Sequence, residues 1–376
     1  MLKTAVVYLI ASSCLLASCS PNLYQPIDKK ATSETRNLLA NMKRLSEKGT
    51  MFGHQDDPAY GIGWEYEAGR SDVKEVVGDY PAVVGWDIGH LELGSAVNLD
   101  SVPFDSMRGF IQEIYAKGGL NTFSWHLNTP IDPSKTSWDK ADSTIHQVLT
   151  NPAVMRNYEA YLDKVADFML SLKGKNGELI PVVFRPFHEH TGSWFWWGKD
   201  YVSPEDYKKI WRYTVDYLRS KQVNNLLYAY STDKFKTREE YLDRYPGDDY
   251  VDILGFDSYH MPQYDPNNSF IPDTRNMVEI LRQLGQEKQK VWAFTETGRE
   301  TIPDPEWWTN TLMPVIKDAG LSYVLVWRNA RPDHFYTPYP GHKGVTNFKD
   351  FYELPGTLFL KEVAAENIYS KPSKNQ

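Results

Sequence analysis

The sequence predicts a single α/β domain with the (β/α)8 architecture of a TIM barrel, and three observations favour this fold class. Eight short apolar runs alternate with longer amphipathic stretches, which is the pattern of strand and helix units around a parallel sheet. Several of these runs end in polar or aromatic residues, and a barrel brings such strand ends together on one face. An open sheet that binds a dinucleotide would need a glycine-rich turn after its first strand, and none is present.

Eight strands and the helices between them can be placed along the chain. The predicted strands are Thr50–His54, Pro81–Asp87, Leu120–His126, Pro181–Glu189, Asn225–Ser231, Val251–Tyr259, Val291–Glu296 and Ser322–Arg328. Helix-like segments between them include Met155–Leu172, Ser203–Lys221 and Thr274–Gln286. The second of these opens with Ser203 as a cap, Pro204 in the first turn and two acidic residues, which together predict a helix start.

Length and composition narrow the class of protein. The chain has 376 residues, of which 41% are hydrophobic and 24% charged, so it is too apolar for a disordered protein and too charged for a multi-span membrane protein. The net charge is −8 and no Lys/Arg-rich run occurs, so we expect no nucleic-acid partner. The 12 tryptophans and 24 tyrosines suit either the stacking of flat ligands or the filling of a core.

The first twenty residues are typical of a secretory signal. Lys3 precedes an apolar run from Ala5 to Leu16, which is too short and too early to be a spanning helix. The motif Leu16-Ala-Ser-Cys19 resembles a bacterial lipobox, in which cleavage before the cysteine leaves its thiol lipidated. The alternative is an ordinary signal with an incidental cysteine. We therefore expect an exported lipoprotein of a Gram-negative bacterium, facing the periplasm or anchored in the outer membrane, with membrane contact only through the lipid on Cys19.

The rest of the chain is predicted to be one domain. A prior of ~150 residues per domain would suggest two domains, but barrels routinely run past about 250 residues as one. No repeat occurs, and no linker long enough to separate two domains follows residue 34. The predicted segments are a signal peptide at 1–18, an N-terminal tether at 19–34, the barrel domain at 35–368 and a C-terminal tail at 369–376.

The fourth predicted strand, Pro181–Glu189, carries two charged residues that a buried strand would not normally contain. Alternation of side chains would place Val183, Arg185, Phe187 and Glu189 on one face, toward the barrel axis. A buried arginine and carboxylate are costly unless they are paired or used. The pair is therefore either a structural ion pair or part of a functional site.

The seventh predicted strand, Val291–Glu296, ends in a second glutamate. Alternation would place Trp292, Phe294 and Glu296 on one face, and Glu189 and Glu296 would meet at the same barrel mouth. Glycoside hydrolysis needs two carboxyl groups that flank one bond, and a separation of ~5–5.5 Å gives retention through a covalent intermediate. The two strand ends therefore predict a glycosidase.

An aromatic loop follows Glu189. Trp194, Trp196 and Trp197 lie within four residues on a predicted surface loop, where sugar rings could pack on them. The alternative is a loop folded back as a hydrophobic plug, and we expect at least one of the three to do this. Trp327, at the end of the eighth strand, is a separate candidate for sugar stacking.

The histidines raise the alternative of a metal site. His188 and His190 have an i, i+2 spacing that zinc sites can use, with His126 or His54 as a third ligand. No HExxH motif occurs, so we favour no metal and no cofactor. A neutral histidine beside Glu189 is more simply a hydrogen-bonding partner for sugar hydroxyls.

Three motifs together resemble glycoside hydrolase family 26, a retaining (β/α)8 family dominated by β-mannanases. The resemblance covers about residues 35–368. The motifs are Arg185-Pro-Phe-His-Glu189, Gly192-Ser-Trp194-Phe-Trp-Trp197-Gly198 and Phe294-Thr-Glu296-Thr-Gly298.

The resemblance implies a role for individual residues. Glu189 matches the acid/base and Glu296 the nucleophile, while Tyr259 resembles a tyrosine that hydrogen-bonds the nucleophile. The implied sugar contacts are His126, His188, Trp194 and Trp327. His190-Thr191 stand where many members of the family have Met-Asn, which could alter the leaving-group side.

These observations predict a β-mannan hydrolase that acts by double displacement, with mannan, galactomannan or manno-oligosaccharides as substrate. Two alternatives stay open at this point. One is the same chemistry on another β-glycan, such as xylan or mixed-linkage glucan, and the other is a non-catalytic glycan-binding lipoprotein. Release of mannobiose, as against cuts inside the polymer, is also left open.

Overall fold

Eight parallel strands form a barrel in the computed structural model, which describes residues 24–141 and 143–372. The strands are β1 Thr50–Gln55, β2 Val83–Asp87, β3 Leu120–Ser124, β4 Val182–Arg185, β5 Leu226–Thr232, β6 Ile253–Tyr259, β7 Val291–Gly298 and β8 Tyr323–Val326. They pair in chain order, and β1 also pairs with β8, with Met51 opposite Tyr323. The sheet is thereby closed, which confirms the predicted barrel. The predicted signal peptide and Cys19 lie outside the described residues.

Helices surround the barrel. They are α1 Ser33–Leu45, α2 Asp72–Val77, α3 Phe104–Ala116, α4 Thr144–Thr150, α5 Pro152–Ser171, α6 Pro204–Ser220, α7 Arg238–Leu242, α8 Phe270–Lys288, α9 Met313–Ile316, α10 Val345–Glu353 and α11 Leu360–Ala365. Helix α6 begins as predicted, because the Ser203 hydroxyl accepts a hydrogen bond from the Asp206 backbone N–H at 3.1 Å. Within the described part of the chain, no helix is long and apolar enough to cross a membrane.

Two apolar layers hold the barrel together. Alternate strand residues such as Met51, Val183 and Leu325 fill its interior, whereas Phe52 and Phe184 pack outward under the helices. Burial of each such side chain contributes roughly 1.5–3 kcal/mol. Because the interior is filled with side chains, polar groups collect at the strand ends that form the barrel mouth.

Strand β4 ends at Arg185, four residues earlier than predicted. Pro186 has no N–H to donate to the neighbouring strand, and Phe187 and Glu189 both adopt left-handed backbone angles, with φ of 50° and 52°. Phe187 consequently packs outward, with its ring 6.3 Å from that of Tyr207. The predicted common face of Arg185, Phe187 and Glu189 is therefore wrong, although the turn still brings Glu189 to the barrel mouth.

A β-bulge in β7 contradicts the face that side-chain alternation predicted for this strand. Phe294 lies opposite Phe256, but Glu296 lies opposite Asp257, so Thr295 is an extra residue in β7. Phe294 therefore points outward and stacks on Phe256 at 4.4 Å, whereas Glu296 points into the mouth. The prediction that Phe294 and Glu296 share a face was wrong, because one bulge reverses the alternation of side chains.

The folded body extends beyond the predicted bounds of 35–368 at both ends. At the amino-terminal end, the Ile27 N–H donates to Asp252 Oδ1 at 2.7 Å, and α1 starts at Ser33. At the other end, the Tyr369 hydroxyl donates to the Gly119 carbonyl at 2.6 Å. Residues 27–34 and Tyr369 are thus held on the barrel, although short polar segments without a period resemble tethers in sequence.

Candidate active site

A cleft of about 700 Å³ opens at the carboxyl ends of the strands. The residues that the sequence analysis proposed for catalysis or sugar contact line it together: His126, His188, Glu189, Trp194, Tyr259, Glu296 and Trp327. The remaining lining residues are Trp138, Phe195, Asp233, Lys234, Met261, Tyr264 and Tyr336. The barrel therefore brings together side chains that are as much as about two hundred residues apart in sequence.

Three carboxylates meet at the bottom of this cleft. Glu189, Asp257 and Glu296 each place one oxygen within 4.8 Å of the others. The separation of Glu189 and Glu296 suits a retaining mechanism, because an inverting enzyme needs about 6.5–9.5 Å between its carboxyl groups to admit a water. The two glutamates therefore border one small volume, where they could flank a glycosidic bond.

Arg185 supplies the positive charge that this acidic group needs. Its guanidinium is buried, forms an ion pair with Asp257 at 3.0 Å and donates a further hydrogen bond to Glu296. Asp257 is also held by the hydroxyls of Ser231 at 2.8 Å and Thr295 at 2.5 Å. Arg185 thus pairs with Asp257 and Glu296, and the predicted structural pair with Glu189 does not form.

The surroundings of the two glutamates separate their proton affinities. Burial raises the pKa of Glu189 well above its usual value, and the nearby charges of Asp257 and Glu296 raise it further. Burial also raises the pKa of Glu296, but the adjacent Arg185 opposes that rise. Glu296 is therefore the first of the two to ionise, and Glu189 keeps its proton. This division suits Glu296 as a nucleophile and Glu189 as an acid.

Each glutamate is also held by one aromatic side chain. The Tyr259 hydroxyl donates a hydrogen bond to Glu296 Oε2 at 3.0 Å, which is the contact that the family resemblance implied. The Trp194 indole N–H donates to Glu189 Oε2 at 2.7 Å. Both hydrogen bonds orient a carboxylate oxygen in the cleft, and both favour its charged form.

Two histidines lie beside the carboxylates, and the pKa values of their imidazoles are shifted in opposite directions. His126 Nδ1 lies 2.6 Å from Asp87 Oδ2. Burial lowers the pKa of His126, but the charge and hydrogen bond of Asp87, together with the charges of Glu296 and Asp100, outweigh burial, and the pKa is raised. Burial and the neighbouring His126 lower the pKa of His188. The rings lie 4.6 Å apart. In the cleft, His126 therefore favours its cationic form and His188 its neutral form, and both rings can meet sugar hydroxyls.

The zinc alternative is not supported by the positions of the histidines. His190 packs between Tyr207 and Tyr230, with ring centres at 4.2 and 4.8 Å, whereas His188 faces His126 in the cleft. The two side chains thus point into different surroundings and cannot share an ion. Among the described residues, the carboxylates of Glu189, Asp257 and Glu296 are the only cluster of three or more potential metal ligands close enough to share an ion. Arg185 already contacts two of these three carboxylates.

The aromatic loop divides as predicted into a plug and a cleft wall. Trp196 and Trp197 are fully buried and donate hydrogen bonds to the Leu127 and His188 carbonyls at 3.1 and 2.8 Å. Trp194 lines the cleft instead. A Cβ at Gly192 would lie 2.3 Å from the Trp194 ring, so glycine is needed there to let the ring fold over the turn.

Sequence reasoning missed several cleft residues. Trp138 and Tyr264 lie at the rim and are 59% and 81% exposed, the highest values among the large exposed apolar residues. Both stand singly in polar loops, so no periodic signal marked them. Asp233 directly follows β5, and its place after a strand end was the signal that could have identified it.

Trp194 offers a test of how the acid is tuned. In Trp194→Phe an aromatic ring is kept, but the indole N–H that stabilises charged Glu189 is lost, so the pKa of Glu189 rises. Because the acid must be protonated, the basic limb of the pH profile of kcat/KM should move to higher pH by roughly 0.5–1 pH unit. Trp138→Phe, in the same cleft but without a hydrogen bond to either glutamate, should leave the limb in place. An unmoved limb in Trp194→Phe would exclude this tuning role.

The geometry agrees with what comparison with known proteins shows. The sequence model described as glycosyl hydrolase family 26 matches residues 27–330. The chain belongs to this family. The resemblance on which the sequence analysis relied is therefore confirmed for the family and the fold.

Relatives within family 26 include proteins of very different length. A mannan endo-1,4-β-mannosidase of Bifidobacterium adolescentis is 32% identical over 89% of this chain, which spans about a third (35%) of that relative's length. A mannan endo-1,4-β-mannosidase of Bacillus subtilis is 31% identical, with 79% of this chain and 81% of the relative covered. A solved family 26 β-mannanase from Bacteroides ovatus is 49% identical, with a TM-score of 0.86 over 92% of this chain and 99% of that one.

Proposed function

We propose that this protein is a retaining β-mannanase, which hydrolyses β-1,4-mannosidic bonds in mannan or manno-oligosaccharides. The observation that carries the proposal is the pair Glu189 and Glu296, held close together in a cleft that favours opposite protonation states. The family 26 relatives are named for this activity, which supports the choice of substrate.

The proposed reaction has two displacements. Ionised Glu296 attacks the anomeric carbon while Glu189 gives its proton to the departing glycosidic oxygen, which forms a sugar–enzyme ester and frees the leaving chain. Glu189, now ionised, then takes a proton from a water whose oxygen attacks the same carbon. The ester bond breaks, and Glu296 leaves as a carboxylate that Arg185 and Tyr259 stabilise. Two inversions at one carbon give net retention.

A substrate panel tests the proposal. Purified protein should release reducing sugar from linear mannan, and the rate on xylan or mixed-linkage glucan should be far lower. The matched control is Glu296→Gln, which keeps the shape of the side chain but removes the attacking charge. Faster cleavage of xylan or glucan would show that mannan is not the preferred substrate. Binding of mannan without any cleavage would show that the protein is a glycan-binding protein and not an enzyme.

Trp327 is proposed to stack against the sugar at the cleavage point. Its ring lies 6.5 Å from that of His126 on the cleft wall. Loss of stacking in Trp327→Ala should lower kcat/KM by the equivalent of ~1–3 kcal/mol, which is about 5- to 150-fold, with a smaller effect on thermal stability. A large fall in melting temperature with unchanged kinetics would show that Trp327 only packs.

Mannobiose release stays a prediction. The exposed rings of Trp138 and Tyr264 at the rim support contacts with sugars beyond the two that flank the cleaved bond. A time course on mannohexaose distinguishes the two modes. Mannobiose as the only early short product indicates action from a chain end, and an early mixture of lengths indicates internal cuts.

We also propose that Cys19 is acylated and that the protein is anchored by this lipid, on the evidence of the Leu16-Ala-Ser-Cys19 motif. In Cys19→Ala, the protein should move from the membrane fraction to the soluble fraction of the cells that export it. A variant that still sediments with membranes would show that a lipid on Cys19 is not what anchors the protein.

A further inference from the structure

A second groove lies beside the cleft at the mouth of the barrel, and we call it the side groove. It has a volume of about 860 Å³ and is formed by the loops after β4 and β5, by the end of α7 and by the first part of α8. Lys234 lines both the cleft and the side groove, so the two meet at this side chain. The proposed reaction uses none of the residues that line the side groove.

Hydrogen bonds fix one wall of the side groove to the turn that carries the acid. The Gly192 N–H donates to the Glu189 carbonyl, and the Lys199 N–H donates to the Gly192 carbonyl, both at 2.9 Å. The buried Arg244 guanidinium, just after α7, donates to the Lys199 and Val202 carbonyls at 3.1 and 2.7 Å. The loop after β4 is thereby held against the end of α7, so this wall is formed before any ligand binds.

The lining of the side groove suits an uncharged ligand that is rich in hydroxyls. Four of its thirteen lining residues are basic and five are acidic, so their charges nearly cancel. The side chains of Phe235 and Met277 are buried and add an apolar floor. Within residues 24–141 and 143–372, neither Lys199 nor Lys234 has a carboxylate oxygen within 4.0 Å. Sugar hydroxyls both donate and accept, so they can bond to walls that carry both signs of charge, whereas a nucleic acid needs a basic surface.

The position of Glu189 determines which part of a substrate faces the side groove. Glu189 gives its proton to the departing oxygen, so the leaving chain begins on its side of the cleaved bond. The proposed contacts to the sugar at the cleavage point, His126 and Trp327, follow β3 and β8, whereas β5 adjoins β4 on the side away from β3. Asp233 and Lys234 follow β5 and line the cleft, and the charge of Asp233 is close enough to raise the pKa of Glu189. The leaving chain is therefore directed toward the side groove.

We propose that the side groove binds the distal sugars of the leaving chain, which enter it past Asp233 and Lys234. The proposal deepens the mannanase function and rests on it, and its ligand is an uncharged β-linked mannan chain. Sugars in the side groove are remote from the reacting atoms, so they are held equally in the substrate complex and in the transition state. Loss of these contacts should therefore raise KM for long chains and leave kcat unchanged.

A pair of matched variants tests the dependence on chain length. The groove variant combines Lys199→Ala and Asp200→Ala, and the control combines Lys349→Ala and Asp350→Ala, an exposed Lys-Asp pair on α10. The groove variant should raise KM for mannohexaose roughly fivefold to tenfold, as loss of one or two hydrogen bonds would. An aryl β-mannobioside has no sugar beyond the cleaved bond, so both variants should cleave it at the parent rate, which also shows that they are folded. An unchanged KM for mannohexaose in the groove variant, or an equal rise in the control, would overturn the proposal.

Photochemical labelling locates the leaving chain directly. Mannohexaose that carries a diazirine at its reducing end is bound to Glu296→Gln and irradiated, and the labelled residues are mapped by mass spectrometry. Labels should fall on residues 199–200, 235–240 and 273–277, and an excess of plain mannohexaose should suppress them. If the parent protein cleaves mannohexaose but the labels are confined to the cleft or to the loop after β8, the side groove alone is wrong. A parent protein that neither binds nor cleaves mannohexaose would reject the mannanase function and the side groove with it.

Discussion

Glu296→Ala is expected to reduce cleavage by on the order of 10³-fold or more for every leaving group, because it removes the group that forms the covalent intermediate. Small anions can then enter from the vacated side of the sugar. Azide added to this variant should yield only the glycosyl azide of inverted configuration. NMR of the azide product measures this directly.

Glu189→Ala should behave differently, because an activated aryl mannoside needs little proton donation to its leaving group. The intermediate should still form from such a substrate and then hydrolyse slowly. Azide should rescue this variant with retained configuration, since it attacks the ester on Glu296. If the two variants gave the opposite configurations, Glu189 would be the nucleophile and Glu296 the acid/base. Full activity in both variants would show that the catalytic site lies elsewhere.

Arg185→Met should have the second large effect. The buried guanidinium pairs with Asp257 and Glu296, and removal of one partner from such a group costs about 3–5 kcal/mol because the carboxylates are left without their cation. Arg185 also lowers the pKa of Glu296, so its loss raises that pKa. Because Glu296 must be ionised to attack, the acidic limb of kcat/KM should move to higher pH. Denaturant unfolding and the pH profile measure the two effects.

Arg185→Lys is the matched control for this prediction. It keeps a positive charge but cannot reach both carboxylates with a planar fork, so part of the stability should return, with the acidic limb closer to its original position. A fully stable Arg185→Met with an unmoved limb would show that the ion pairs contribute neither to folding nor to the tuning of Glu296.

The barrel and its mouth could be predicted because each strand has a short apolar run with a polar end. Glu189 and Glu296 were found by that logic, whereas Trp194 was singled out among the loop tryptophans only by the family resemblance. The apolar run and its polar end are local signals, and the carboxyl ends of parallel strands meet on one face of any such barrel. The motifs around the two glutamates then identified the family.

What the sequence could not show depends on backbone irregularities and on long-range pairing. The extra residue Thr295 in β7 and the turn after Pro186 change which way side chains point, and neither leaves a mark in a hydrophobic pattern. The partners of Arg185 lie on β6 and β7, so the pairing with Asp257 depends on strand neighbours in space. Isolated aromatic residues at the rim, such as Trp138, belong to no hydrophobic repeat, so the sequence pattern could not place them in the cleft.

The anomeric configuration of the first product tests the central claim most directly. Mannohexaose is hydrolysed inside the NMR tube with enough protein to outrun mutarotation, and the new reducing-end signal is followed from the first spectrum. Two displacements by Glu296 and then water predict that the β-anomer appears first and the α-anomer only later, by mutarotation. Initial formation of the α-anomer would contradict the account, because it would mean a single displacement with no ester on Glu296.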